Sequence, residues 1–199
     1  MTGEVHPDLS GVARWLPRAS FTLRSIPIVR LALRLTSIRG FGGAGVIVRE
    51  QSEGNVTLRV YAPNGTPPRG ALLWMHGGGL IVGTPAQDDR RCITFARELG
   101  LLVVSPAYRL APEHPFPAAH EDCYAAWRWT VRRLEELGVD PGRITVGGAS
   151  AGGGLAAALA QRIRDEGGLQ PAAQLLVYPM LDDRTAAVDN TADQDRLVW

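Results

Sequence analysis

Apolar residues recur along this chain in two patterns, which predict β-strands and α-helices in alternation. The first pattern is a short, nearly continuous apolar run, typical of a strand buried on both faces of a sheet. Runs of this kind lie at residues 71–75, 101–105, 143–146 and 174–178. Two further short strands, at 46–48 and 56–61, are predicted on either side of a turn at 53–55.

The second pattern is helical, with apolar residues three or four positions apart over longer stretches. These stretches cover residues 88–99, 118–137 and 151–165. The first two stop at Gly100 and Gly138, as helices commonly do. Because strands and helices alternate from residue 71 onward, the pattern predicts an α/β fold with a mostly parallel sheet and helices on both faces.

The first 40 to 45 residues form a separate segment with an amphipathic pattern. Apolar residues at 26–35 are interleaved with Arg24, Arg30 and Arg34, which predicts a helix entered at Pro27. The arginines of this helix either point into solvent, which is the commoner arrangement, or touch a membrane surface.

Composition excludes several kinds of chemistry. The chain has 199 residues, 45% of them apolar, and a formal net charge of +1. It can therefore form one globular core, and it has no charge excess that favours nucleic acid. All 21 basic residues are arginine. Without lysine there is no Walker-type phosphate-binding lysine, no Schiff base and no serine–lysine dyad.

Cysteine usage and hydropathy predict a cytoplasmic protein. Cys92 and Cys123 are the only cysteines, and neither belongs to a C-x-x-C pair or a metal-ligand cluster. We therefore expect two buried thiols and no metal site. No apolar run approaches the roughly 18 residues of a membrane span, and the N-terminus lacks a signal-peptide pattern.

The strongest chemical signal is a G-x-S-x-G motif formed by Gly148, Ser150 and Gly152. It lies between a short apolar strand and an alanine-rich helix, the context in which this motif makes a sharp turn that exposes the serine hydroxyl. We predict Ser150 as a nucleophile near a helix N-terminus, whose free N–H groups favour negative charge. A glycine-rich turn before a helix can instead bind phosphate. The absence of lysine and of a dinucleotide-binding spacing argues against that alternative.

A second glycine motif, His76-Gly77-Gly78-Gly79, directly follows a predicted buried strand. Consecutive glycines let backbone N–H groups face a cavity, and with the N–H of Ala151 they can form an oxyanion hole. Taken alone, the motif is equally compatible with a flexible turn. Its position two strand–helix units before the serine motif favours the oxyanion hole. We expect His76 to fix this loop rather than to act as a base.

With these two motifs the chain resembles the bacterial hormone-sensitive-lipase-like esterases of the α/β-hydrolase superfamily. The segment 108–119 is similar to that family's connection after the fourth strand, and 178–182 to the end of its sixth strand. The resemblance covers residues 46 to about 185. It implies an α/β-hydrolase three-layer sandwich, with residues 1–45 as an N-terminal helical cap and 46–199 as the N-terminal part of the core domain.

The resemblance also implies a function, the hydrolysis of short- to medium-chain acyl esters through an acyl-enzyme, without a cofactor. Ser150 would be the catalytic nucleophile acting on a small-molecule ester. The oxyanion donors would come from Gly77, Gly78, Gly79 and Ala151. An amidase or formamidase on the same scaffold is an alternative, because esters and amides share a tetrahedral intermediate.

Three positions depart from the family pattern. Ala149 and Ala107 stand where the family often has aspartate, and Gly154 stands where it often has asparagine. We expect the missing carboxylates to remove supporting hydrogen bonds and not the reaction itself.

The histidines do not complete a catalytic triad. This fold orders its triad along the chain as serine, then aspartate or glutamate, then histidine. However, His6, His76, His114 and His120 all precede Ser150. We therefore expect weak or undetectable esterase activity from this chain alone, at the level that an oxyanion hole and binding retain without the triad.

Strand number leads to the same expectation. The resemblance implies eight strands, and the sequence predicts about six, so we expect the last two to be missing. A complementing C-terminal chain or a truncated reading frame would account for that. The expected protein partner is that complementing chain or a second copy in a homo-oligomer, and a non-catalytic hydrolase-like domain is the alternative function. Asp182 and Asp183 are expected in a solvated loop rather than in the triad.

Overall fold

The predicted alternation of strands and helices is present as one six-stranded sheet with helices on both faces. The computed structural model describes residue 11, residues 25–36 and residues 45–182. The strands are β1 (Val46–Glu53), β2 (Val56–Pro63), β3 (Gly70–Met75), β4 (Leu101–Ala107), β5 (Ile144–Ala149) and β6 (Ala173–Val177). Their spatial order is β1-β2-β4-β3-β5-β6.

Strand direction divides the sheet into two parts. The pairs β1–β2 and β2–β4 are antiparallel, whereas β3 pairs in parallel with β4 and β5, and β5 with β6. In the β3–β5 ladder, Met75 lies opposite Gly148. The residues that follow these two strands therefore emerge side by side at one edge of the sheet.

Four helices are described: α1 (Ile26–Thr36), α2 (Asp89–Leu99), α3 (Ala118–Arg132) and α4 (Ala151–Glu166). Helix α2 buries Cys92, Ile93 and Ala96 against one face of the sheet. Helices α3 and α4 cover the other face, where their apolar side chains form the larger core cluster. The result is a three-layer α/β arrangement with helices on both faces of the sheet, as the sequence predicted.

Helix α3 is shorter than predicted. The sequence pattern predicts a helix through residue 137, but the helix ends at Arg132 and residues 133–138 form successive tight turns. The turns end at Gly138, whose φ is +67°, and the N–H of Val139 donates to the carbonyl of Leu134. Both Leu134 and Val139 are buried. The apolar residues whose spacing predicted a longer helix are therefore buried in the core, but they lie in or just after turns.

In helix α1, Arg30 does not have the solvent-facing orientation that the sequence predicted. Arg30 does not point into solvent, because its guanidinium donates to the carbonyls of Ile81 and Ala111 at 2.8 and 2.6 Å and pairs with Glu113. The large exposed side chains of this helix are instead apolar, namely those of Ile28, Leu31 and Leu35. The predictions for Arg24 and for the side chain of Arg34 fall outside the described residues. Among the helices of the described part, none is long and apolar enough to cross a membrane.

A buried polar cluster fixes the start of α2. The carboxylate of Asp89 accepts two hydrogen bonds from the guanidinium of Arg59, both 2.8 Å, and one from the hydroxyl of Tyr61 at 2.6 Å. Next to it, Asp88 accepts from the indole N–H of Trp74 at 2.8 Å. Each buried donor therefore has a charged acceptor, which is the condition for burying such groups without a large loss of stability.

Removing the buried hydroxyl of Tyr61 and removing that of Ser105 should have different effects on the free energy of unfolding. Tyr61→Phe takes a donor from the buried Asp89 carboxylate and should lower the free energy of unfolding by about 1–3 kcal/mol. The hydroxyl of Ser105 is buried without a partner among the described residues. Ser105→Ala should therefore change stability by less than about 1 kcal/mol, or raise it. Urea titration of both variants tests this, and an equal loss in the two would contradict it.

Candidate active site

The G-x-S-x-G motif forms the sharp turn between β5 and α4. Ser150 has φ +54° and ψ −121°, a conformation that is strained for a residue with a side chain. Methyl groups would not fit on either flanking glycine. A Cβ on Gly148 would lie 2.3 Å from the carbonyl oxygen of Gly152, and a Cβ on Gly152 would lie 2.2 Å from that of Met75. Both glycines are thus required by the close approach of β3, β5 and α4.

Backbone hydrogen bonds hold Ser150 in this conformation. Its N–H donates to the carbonyl of Val177, at the end of β6, at 2.9 Å. Its carbonyl accepts from the N–H groups of Met180 at 3.0 Å and Gly154 at 3.1 Å. Gly154 is also closely packed, because a Cβ there would lie 2.3 Å from the Met180 carbonyl oxygen. The asparagine that the family often has would therefore not fit here without movement of that carbonyl.

The second glycine motif lies against this turn. A Cβ built on Gly77 would be 3.5 Å from the Cβ of Ser150. Gly78 and Gly79 have φ of +125° and +61°, and the carbonyl of Gly78 accepts from the N–H groups of Ile81 and Val82. The loop after β3 therefore turns tightly beside the serine, which is the proximity that the sequence motifs predicted.

Four backbone N–H groups of the two glycine motifs donate no hydrogen bond within the described residues. They are the amides of Gly77, Gly78, Gly79 and Ala151. Ala151 is also the first residue of α4, where the helix dipole favours negative charge. Buried or partly buried amides are normally paired. An arrangement of this kind can stabilise an oxygen anion that forms next to Ser150.

His76 is engaged by the backbone of its own loop. The ring is buried, stacks on Tyr108 at a centroid distance of 4.2 Å, and has Nδ1 2.8 Å from the carbonyl oxygen of Gly77. Because that oxygen only accepts, we assign the proton to Nδ1. Burial lowers the pKa of His76 to about 4, so the ring is neutral at physiological pH. The ring nitrogen that faces Gly77 is thus occupied as a donor.

Tyr108 fixes the preceding peptide. Its hydroxyl donates to the carbonyl of His76 at 2.7 Å. Desolvation raises the pKa of Tyr108 well above its usual value, so it remains a neutral donor. In the sequence, Tyr108 stood out only as part of the segment that resembles the family. Its contact with His76, 32 positions away, is not visible in any local pattern.

A largely apolar cavity of about 380 Å³ opens beside the start of α4. Its walls include Leu80, Ala111, Phe116, Ala151, Leu155 and Met180. His114 and His120 also line it. Within the described residues, neither histidine is hydrogen-bonded to Ser150, and His120 instead lies 3.4 Å from the guanidinium of Arg162. Of the remaining candidates, His6 and Asp183 fall outside the described residues.

The other two positions that differ from the family pattern are Ala149 and Ala107, and they lie in different environments. Ala149 is buried in the apolar cluster that contains Trp74 and α2, where a carboxylate would be desolvated. Ala107 is exposed at the end of β4.

The sequence also gave no signal for Gln87, whose side-chain amide donates to the carbonyl of Gly77 at 3.0 Å.

Comparison with known proteins places these features in context. A family model described as an alpha/beta hydrolase fold matches residues 72–199. The esterase LipI of Mycobacterium tuberculosis (strain ATCC 25618 / H37Rv) is 46% identical over 129 residues, which are 63% of this chain and 40% of LipI. Arylacetamide deacetylase of Oryctolagus cuniculus is 44% identical over 144 residues, 68% of this chain and 36% of that protein.

Among solved structures, a bacterial heroin esterase is similar, with a TM-score of 0.80 and 41% sequence identity. The match covers 90% of this chain and 59% of the heroin esterase chain. The chain therefore spans about two fifths of the length of the relatives named above and about three fifths of this structure.

The lowered pKa of His76 predicts that acid destabilises the protein. The unfolded chain binds this proton near pH 6.5 and the folded chain only near pH 4. Stability is therefore full above about pH 6.5 and falls as the pH decreases toward 4, by up to about 1.4 kcal/mol per pH unit from this group. ¹⁵N NMR should show His76 neutral and protonated on Nδ1 at pH 5.5. A ring that titrates near 6.5 would contradict the prediction.

Close backbone packing predicts that Gly152→Ala is destabilising. The new methyl must displace the carbonyls of Met75 and His76, and overpacking of this kind costs about 1–3 kcal/mol. Gly142→Ala is the matched control, because Gly142 is exposed and the nearest atom to a Cβ there is 3.4 Å away. Urea unfolding of the two variants gives the comparison. Similar stabilities would argue against the close contact.

Proposed function

This chain belongs to the α/β-hydrolase family, and from that premise we propose that it carries the nucleophile and the oxyanion hole of a carboxylic ester hydrolase. The observation that carries the proposal is the group of unpaired amides of Gly78, Gly79 and Ala151 beside the strained Ser150. An amide without a protein acceptor is available to donate to negative charge that develops next to it.

In the proposed reaction the Ser150 hydroxyl oxygen attacks the ester carbonyl and a base removes the hydroxyl proton. The carbonyl oxygen becomes an anion that accepts hydrogen bonds from Gly78, Gly79 and Ala151. Collapse of the tetrahedral intermediate breaks the bond to the alcohol, which leaves with a proton, and Ser150 is acylated. Water then repeats the addition and releases the carboxylic acid.

The catalytic base is the missing group, since this fold places its catalytic histidine after the serine along the chain. No histidine follows Ser150 in these 199 residues. Within the described residues His76 has no hydrogen bond to Ser150, and burial lowers its pKa to about 4, which makes the ring a weak base. The oxyanion hole does not depend on that base, because its donors are backbone groups of the loop after β3 and of the first residue of α4.

The adjoining cavity supports a substrate with an apolar portion. It has a volume of about 380 Å³ and is lined by Ala151, the residue that follows Ser150, which supports its use as a substrate pocket. This volume suits a short aliphatic chain or an aromatic ring. We propose short-chain esters as substrates, with acetyl esters of aromatic alcohols as suitable probes.

An amidase is the second candidate, favoured by one relative. The name arylacetamide deacetylase specifies an acetamide, and that protein is 44% identical to this chain over 144 residues. The two candidates share Ser150 and the oxyanion hole and differ in leaving group. Comparing p-nitrophenyl acetate with p-nitroacetanilide under the same conditions separates them.

We predict that a fluorophosphonate reacts selectively with Ser150. Because no histidine follows Ser150, the base is supplied as imidazole, and labelling should accelerate with imidazole concentration. Peptide mass spectrometry should locate the adduct on Ser150, and Ser150→Ala should abolish it. Ser52→Ala, at an exposed serine of β1, is the matched control and should label like the unmodified chain.

Two results would overturn the proposed function. One is labelling that is unchanged in Ser150→Ala, which would place the reactive group elsewhere. The other is a folded chain in which Ser150 reacts no faster than Ser52 at any imidazole concentration. That second result would favour the non-catalytic hydrolase-like domain.

A further inference from the structure

We propose that Gln87 is a positioning residue of the oxyanion hole, which holds the peptide between Gly77 and Gly78 so that the Gly78 N–H faces Ser150. The inference rests on the proposed function of that N–H and extends it to a side chain outside both glycine motifs. Gln87 touches neither Ser150 nor the cavity beside α4, so it would act through the backbone alone.

The geometry starts from one carbonyl oxygen. The oxygen of Gly77 accepts from Nε2 of Gln87 at 3.0 Å and from Nδ1 of His76 at 2.8 Å. Cis peptide bonds in the described residues occur only before Pro112 and Pro117, so the peptide joining Gly77 to Gly78 is trans. In a trans peptide the carbonyl and the following N–H point in opposite directions. Two donors on the oxygen therefore direct the Gly78 N–H to the other side.

The need for such an anchor follows from the two glycines. A peptide flanked by glycines rotates with little steric resistance, because neither residue has a Cβ. Rotation by half a turn would present the Gly77 carbonyl oxygen to the reacting centre in place of an N–H. That oxygen would repel the developing anion. Orientation of this one peptide thus decides between stabilisation and repulsion.

Gly83 provides an independent observation that these groups converge. A Cβ on Gly83 would lie 2.6 Å from the oxygen of Gly77, 2.7 Å from Nδ1 of His76 and 3.0 Å from Oε1 of Gln87. Gly83 has φ +109°, a conformation suited to glycine. The loop therefore leaves no room for a methyl group at the point where the two donors meet their shared acceptor.

The backbone of Gln87 is itself held in place. It lies in a 3₁₀ helix, Pro85–Asp88, and its N–H donates to the carbonyl of Thr84 at 3.1 Å. The neighbouring Asp88 accepts from the buried Trp74. The side chain of Gln87 is nevertheless exposed, unlike those of His76 and Tyr108. It can therefore be replaced without opening a cavity in the core.

The test uses Gln87→Met, which keeps the length of the side chain and removes the donor. With imidazole present, we expect the maximal rate of Ser150 phosphonylation to fall on the order of tenfold, since misplacing an oxyanion donor is less severe than deleting one. The concentration of probe that gives half-maximal rate should be unchanged. Gln161→Met, at an exposed glutamine of α4, is the matched control and should behave like the unmodified chain.

A pH profile separates positioning from general structure. In Gln87→Glu the ionised carboxylate repels the Gly77 carbonyl, so the rate relative to the unmodified chain should fall at neutral pH. As the pH decreases through the pKa of the new carboxyl group, its O–H becomes a donor and the relative rate should recover. Gln87→Met should show no such recovery. A flat relative rate in Gln87→Glu would overturn the proposal.

A second measurement keeps this proposal distinct from the proposed function. The ¹H–¹⁵N resonance of Gly78 in the free protein should shift in Gln87→Met and not in Gln161→Met. An unshifted Gly78 resonance overturns the positioning role whether or not Ser150 reacts. A shifted resonance in a chain whose Ser150 never reacts would retain the anchoring of the peptide and reject the oxyanion hole.

Discussion

The candidate site depends on how closely two strands and one helix approach each other at the carboxyl edge of the sheet. Strands β3 and β5 are neighbours, so Met75 and Gly148 lie opposite each other although 73 positions separate them. A methyl on Gly152 would come within 2.2 Å of the Met75 oxygen and 2.4 Å of the His76 oxygen. Glycine at these positions lets two loops share a space that side chains would otherwise fill.

This arrangement includes a backbone conformation that is unfavourable by itself. The conformation of Ser150 costs on the order of 1–3 kcal/mol. The conformation persists because the carbonyl of Val177 and the N–H groups of Gly154 and Met180 bind both sides of Ser150. Beneath them the parallel strands are buried on both faces, with Trp74 and Leu73 fully enclosed. The buried sheet therefore holds the strained turn at Ser150 in place.

The sequence predicted the parts of the structure that depend on neighbouring residues. Strand runs, the turn at Ser150 and the glycine loop at 77–79 carry local patterns, and all lie where those patterns indicate. The patterns failed where contacts between distant residues decide. The apolar residue Leu134 is buried by turns after the end of helix α3, so its burial did not require a longer helix. Arg30 is directed inward, to acceptors more than 50 positions away.

The proposed oxyanion donors are all backbone groups, and this limits how the chain can adjust them. No substitution deletes the N–H of Gly78 except proline, so side chains act on it only by turning its peptide. His76, Tyr108 and Gln87 are the side chains that hold these peptides in the described structure. Two of them are buried, and a change there alters folding together with orientation. Gln87 is exposed, which makes it the position where orientation can vary while the core stays intact.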